Sequence, residues 1–146
     1  MLGLSMKEKL YKALIRLCEE KLPLFEREMR GLVARAEGLS EEQTQQEYTA
    51  AVLRYTSSIT EALHQGLGPD VGLRVGMAMM RPHITGLPEE YDADFDASPF
   101  VGKYFAVYYY AATGKQISLS DYGKYIRPIN QYQVSLINAV FEKLSN

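Results

Sequence analysis

Between Ser40 and Gln65 the residues Tyr48, Val52, Tyr55, Ile59 and Ala62 fall alternately four and three apart, with Leu63 beside them. A spacing near 3.6 gathers side chains on one face of an α-helix, and no strand offers such a face. Gln46, Glu47, Arg54, Ser57, Ser58, Glu61 and Gln65 take the remaining positions. Ser40 and Gln43 stand three apart, as in a capping box, where each side chain serves a backbone amide left free at the helix start. The stretch predicts an amphipathic helix that Gly66 ends. Such a helix is stable only once its stripe is buried against others, so a helical bundle is the expected architecture.

The rest of the chain agrees. Leu10, Leu14, Leu17 and Cys18 form a stripe within 5–21, with Lys7, Lys9, Lys12 and Arg16 on the other side. Pro23 is expected either to kink this helix or to open a second one, since proline is tolerated in a first turn. Phe25, Met29, Leu32, Val33 and Ala36 continue the period up to Gly38, which suits a left-handed stop. Ser98 before Pro99 predicts another start, followed by Phe100, Val101, Tyr104, Phe105, Val107, Tyr108 and Ala112 before Gly114. A last helical region begins near Ser118 or Ser120, is split by Pro128, and carries Val134, Ile137, Val140, Phe141 and Leu144. Alternation occurs only in short pieces such as 115–119. The expectation is an all-α chain, one compact bundle-like domain of five or six helices across residues 1–146.

Two segments break the pattern. In 69–80, Val71, Leu73, Val75, Met77, Met79 and Met80 point all round a short helix, which predicts that it is largely buried or covered by another chain. Gly68, Gly72 and Gly76 recur four apart there, so one side can approach a second backbone closely. Packing within the chain and a homodimer seam using Met77 and Met80 are the two outcomes. From His83 to Ala97 no period remains, and a long loop is expected. It holds five carboxylates in eight residues, Glu89, Glu90, Asp92, Asp94 and Asp96. Their spacing invites comparison with a calcium-binding loop. Counted from Asp92, however, the sixth position is Ala97 instead of glycine and the twelfth is Lys103 instead of glutamate, so no metal is expected.

Charge sharpens the function classes. The whole chain carries a formal net charge of -2, which gives no general attraction to nucleic acid. Residues 1–36 hold eight basic and five acidic groups, 37–66 one and five, 67–102 two and six, and 103–146 five and two. The acidic middle either pairs with the basic ends or remains as a face for a partner. Cys18 is the single cysteine, so no internal disulfide forms. The start, MLGLSMKEKL, lacks the continuous apolar region of a signal peptide, and no run approaches a membrane span. The expected location is the cytoplasm.

Eleven tyrosines complete the inventory. Tyr104 and Tyr108 share a face with Phe100 and are expected inside. Tyr109 and Tyr110 lie off that face and are the surface candidates. Lys103, Lys115, Lys124 and Arg127 lie near the aromatics in sequence, a composition that grips single strands, but no glycine-aromatic motif supports nucleic-acid binding. No phosphate loop or dinucleotide fingerprint is present, and no cofactor is expected.

The leading expectation is therefore a non-enzymatic module, in the manner of a regulator, immunity protein or chaperone. It would bind another protein, or itself as a homodimer, through the acidic stretch with Tyr109 and Tyr110 or through the methionine surface. The alternatives are a ligand pocket walled by Tyr48, Tyr55, Tyr104 and Tyr108, and a metal-dependent hydrolase using His83 with the Asp92–Asp96 cluster.

Overall fold

The computed structural model describes residues 5–79 and 83–145, with backbone alone at 67, 71, 92, 93, 96 and 97. Met80 lies outside the described residues. Helix α1 spans Met6–Arg35, its start capped by the Ser5 side chain, which accepts from the Glu8 amide. Pro23 sits inside this helix without ending it, and Phe25, Met29 and Leu32 continue the buried stripe of Leu10, Leu14, Leu17 and Cys18. The next helix braces the proline region: Tyr55 stacks on Phe25 at 5.2 Å and donates its hydroxyl proton to the Cys18 carbonyl at 2.6 Å. Gly38 belongs to a short 3-10 turn, Ala36–Gly38, instead of a left-handed stop.

Helix α2, Glu41–Leu67, opens on the expected capping box, with both Ser40–Gln43 bonds present. It runs through Gly66 and stops at Gly68, whose φ of 88° only glycine adopts readily. Pro69 then starts α3, Pro69–Ala78, because a proline in the first turn forfeits no hydrogen bond.

The expected loop of 83–97 is largely structured. Ile84–Thr85 forms a two-residue strand, β1, which pairs in parallel with β2, Ile117–Ser118. The acidic stretch is a helix, α4, over Glu89–Ala97. Pro88 fixes its entry, and Glu89 and Glu90 sit where a helix start favours negative charge. Among its described side chains only Phe95 is buried, which left too little apolar period for the sequence to reveal.

The start expected at Ser98–Pro99 is displaced. Helix α5 covers Lys103–Thr113. The Ser98 hydroxyl serves the Phe100 amide, while the Val101 and Gly102 amides are taken by the last helix of the chain: Gln133 Oε1 accepts at 2.7 Å and Asn130 Oδ1 at 2.8 Å. Tertiary partners thus replace a local cap. Gly114 ends α5 in the left-handed region as expected.

Ser118 and Asp121 form a second capping box opening α6, Leu119–Asp121. A π turn, Tyr122–Ile126, leads into α7, Arg127–Ser145. In the π turn the Arg127 amide reaches back five residues to the Tyr122 carbonyl. Pro128 has no amide hydrogen and its ring would crowd the carbonyl four residues earlier. A widened turn ahead of it relieves both problems, so the rod bends its bonding without breaking. Counted over the described residues, with α6, the π turn and α7 taken as one continuous rod, six helices build one compact all-α, bundle-like domain with almost no strand.

Helix α5 lies at the centre and touches α1, α3, the π turn and β2. Phe105, Ala106, Val107, Tyr108 and Ala111 are all buried. Helix α3 was expected to be largely buried or covered by another chain, and its own chain covers one side of it. Gly72, Val75 and Ala78 face α2 and α5, whereas Leu73 is 71% exposed, Met77 70% and Met79 48%.

Candidate functional site

The apolar side of α3 is built by its register. Leu73 and Met77 are four apart, which puts them on one stripe opposite the packed row of Gly72, Val75 and Ala78, with Gly76 at the stripe's edge. Gly72 makes the close approach: a Cβ there would lie 2.6 Å from His64 Nε2 at the end of α2. At Gly76 a Cβ would meet nothing within 4 Å, so this glycine faces open space between two exposed apolar residues. Gly68 serves as the stop between α2 and α3. Within the chain the three glycines therefore do three different jobs. The Arg74 guanidinium reaches the Ala111 carbonyl at 3.3 Å and ties α3 to the end of α5.

In α4, Glu89, Glu90 and Asp94 are exposed, while the side chains of Asp92 and Asp96 lie outside the described set. Among the described residues no group of three potential ligands is positioned to hold a metal ion. His83 is buried; its Nε2 donates to the Ala78 carbonyl at 2.7 Å and its ring stacks on Tyr110 at 4.1 Å. Its described partners are thus a carbonyl and a ring, and none is a carboxylate.

The tyrosines divide by what their hydroxyls already do. Tyr108 is buried and donates to the Thr60 carbonyl at 2.7 Å, and Tyr55 donates to Cys18 as above. Burial holds both phenols well above the ordinary tyrosine range, so they stay protonated. Burial likewise pushes the Cys18 thiol up to about 12, which leaves no thiolate for nucleophilic chemistry. Tyr104 is half-buried with its ring 6.3 Å from that of Tyr108. The Tyr48 ring lies 4.8 Å from Phe141 and lines two apolar grooves, of about 190 and about 210 Å³. Tyr55, Tyr104 and Tyr108 line neither groove, so the four tyrosines do not share a pocket there.

Tyr109 and Tyr110 are half-buried instead of projecting. Tyr109 stacks on Phe105 at 6.5 Å with the Lys7 ammonium 5.4 Å from its ring. Lys124 and Arg127 similarly lie over Tyr125 and Tyr122, at 5.2 and 5.4 Å.

A third groove, of about 350 Å³, joins α4 to the π turn and was not visible in the sequence. Its residues are some thirty positions apart, and no spacing rule links them. Pro128, which forecasts a disturbed helix just ahead of it, was the one signal nearby. No family model matches this chain, and no curated protein or solved structure matches it either.

Proposed function

We propose that this chain is a cytoplasmic, non-enzymatic protein-interaction module that takes another protein onto the uncovered side of α3. The observation that supports it is the exposure of Leu73 and Met77, 71% and 70%, on a helix whose opposite side is packed. Covering two such side chains is worth about 3–6 kcal/mol, enough to anchor an interface centre. Gly76 between them lets a partner helix lie close, and methionine adapts its shape to what it meets. The exposed carboxylates Glu89, Glu90 and Asp94 act at longer range, steering a partner whose contact surface is basic at its rim.

The test is a Leu73→Glu/Met77→Glu double variant compared with the native chain in quantitative affinity purification from the source cells. A photo-crosslinker at position 77 identifies the contact. The expected result is a stoichiometric partner that crosslinks to the native chain and is lost with the variant, and that associates more slowly at high salt or with Glu89→Lys/Glu90→Lys. A second copy of the chain crosslinked through position 77 would identify the partner as itself. A monomer that crosslinks to nothing, or a partner retained in full by the double variant, overturns the reading.

A further inference from the structure

The groove between α4 and the π turn combines features the other two lack. The α4 side contributes Pro88 and Tyr91, and the helical rod contributes Leu119, Tyr122, Gly123 and Arg127. Tyr91 and Leu119 are each 46% exposed, so two large apolar surfaces face the opening uncovered. The Tyr91 ring has no ring partner among the described residues. At Gly123 a Cβ would meet nothing within 4 Å, so the missing side chain leaves room beside the rod.

One charge lines this space. Arg127 is the only charged residue among its lining residues. The guanidinium carbon rests 5.4 Å from the centre of the Tyr122 ring. At that range the ring face attracts the cation without occupying its N–H groups. No carboxylate among the described side chains pairs with it, whereas Lys7, Arg16, Arg35, Arg54 and Lys143 all have acidic partners. The grooves at Tyr48 have no charged lining residue at all. A widened helical turn at this point places Tyr122, Gly123 and Arg127 together on one side, and such turns are concentrated at functional sites.

We propose that this groove binds a small organic monocarboxylate with an aryl or short alkyl body. The carboxylate takes the N–H edges of Arg127 in a two-point bond, the geometry that suits a guanidinium best. The body lies between Tyr91 and Leu119 and against Gly123, where it replaces water on the exposed apolar surface. A volume of about 350 Å³ lies at the small end of ligand sites, which restricts the ligand to a compact acid. The site shares no residue with the α3 face, so the two readings stand or fall separately.

The experiment is a titration of the full 15N-labelled chain with 3-phenylpropionate and, in parallel, with its neutral isostere 3-phenylpropanamide, followed by amide chemical shifts. Saturable shifts centred on Ser120, Tyr122, Gly123 and Arg127 are expected with the acid, and an affinity at least about tenfold weaker with the amide. Arg127→Gln should weaken the acid by about tenfold while leaving the amide unchanged. Gly123→Leu should abolish both, in a chain whose helix is locally favoured by the change. Equal affinity for acid and amide, shifts centred elsewhere, no saturation in the millimolar range, or full binding by Arg127→Gln each overturns the proposal.

Discussion

Helices α3 and α5 are built from much the same material and end in opposite circumstances. Both are short and apolar on nearly every side. Helix α5 buries Phe105, Ala106, Val107, Tyr108 and Ala111, whereas α3 buries one side and leaves Leu73, Met77 and Met79 to solvent. The difference lies in neighbours. Helix α5 runs between α1, α3, the π turn and β2, while among the described residues α3 packs mainly on α2 and α5. An all-round apolar helix needs cover, and the chain itself supplies that cover in one case and half of it in the other. The uncovered half is what a partner can use.

The contrast breaks most readily at Phe105. This ring is fully buried and stacked on Tyr125 at 5.0 Å. Phe105→Ala should cost about 3–5 kcal/mol in urea unfolding, by lost burial and the cavity left behind. A cost no larger than that of a surface change would mean α5 is not the centre of the core.

Next in size is the polar bridge that docks the start of α5. Gln133 is fully buried, accepts from the Val101 amide, and donates to Thr56 Oγ1 at 3.0 Å. Gln133→Ala leaves two buried polar groups unpaired, at about 1–3 kcal/mol for each. Its hydrogen-exchange signature should be faster exchange at Val101, whose amide loses its acceptor. Unchanged protection at that amide would show that Gln133 does not supply this part of the cap.

A smaller effect is expected at the join of α1 and α6. Lys7 Nζ bonds Asp121 Oδ2 at 2.7 Å, and this bond raises the Lys7 pKa. Burial pushes the Asp121 carboxyl up, but bonds from Lys7 and Ser118 outweigh it, so its pKa lies below the ordinary 3.8. A carboxyl depressed by folding stabilises above its unfolded pKa and loses that contribution as pH falls through its folded value. Asp121→Asn should therefore lower stability at neutral pH, by about 1 kcal/mol or less, and flatten the decline on acidification below about pH 4. Native and variant chains with parallel pH profiles would remove this contribution.

The smallest effect is the most informative about α3. Leu73→Ser and Met77→Ser should each change the stability of the free chain by no more than about 0.5 kcal/mol. Thermal unfolding compared with Phe105→Ala checks it. A loss of several kcal/mol would mean that this side of α3 is covered after all, and that the contrast with α5 is false.

Much of this organisation is legible without a structure because helix signals are local. Ser40 and Gln43, three residues apart, suffice for the capping box, and Gly114 for the left-handed end of α5. The stripe from Tyr48 to Leu63 likewise requires only its own spacing. The errors arose where local signals were thin. Helix α4 has one buried side chain among those described and no period to read, so its carboxylates looked like a loop. Ser98–Pro99 resembled a start because the true cap of α5 comes from residues thirty positions later.

The candidate sites were less legible than the fold. The abundance of tyrosine pointed toward the aromatics, but Tyr55 and Tyr108 give their hydroxyls to backbone carbonyls, while Tyr91 and Tyr122 border the open groove. No pattern in the sequence distinguishes a tyrosine whose hydroxyl is given to the backbone from one that borders a groove.

By itself the sequence determined that this polymer coils into helices, where most of them begin, and which residues of α1, α2 and α7 turn inward. Period, caps and proline act within a few residues, so they are written in the order of the chain. Only the tertiary structure decided that α5 is enclosed, that α3 is half bare, and that Arg127 lies beside Tyr122 with no carboxylate partner among the described side chains. Those outcomes depend on which distant surfaces meet, and burial is shared among segments that the chain brings together only by folding.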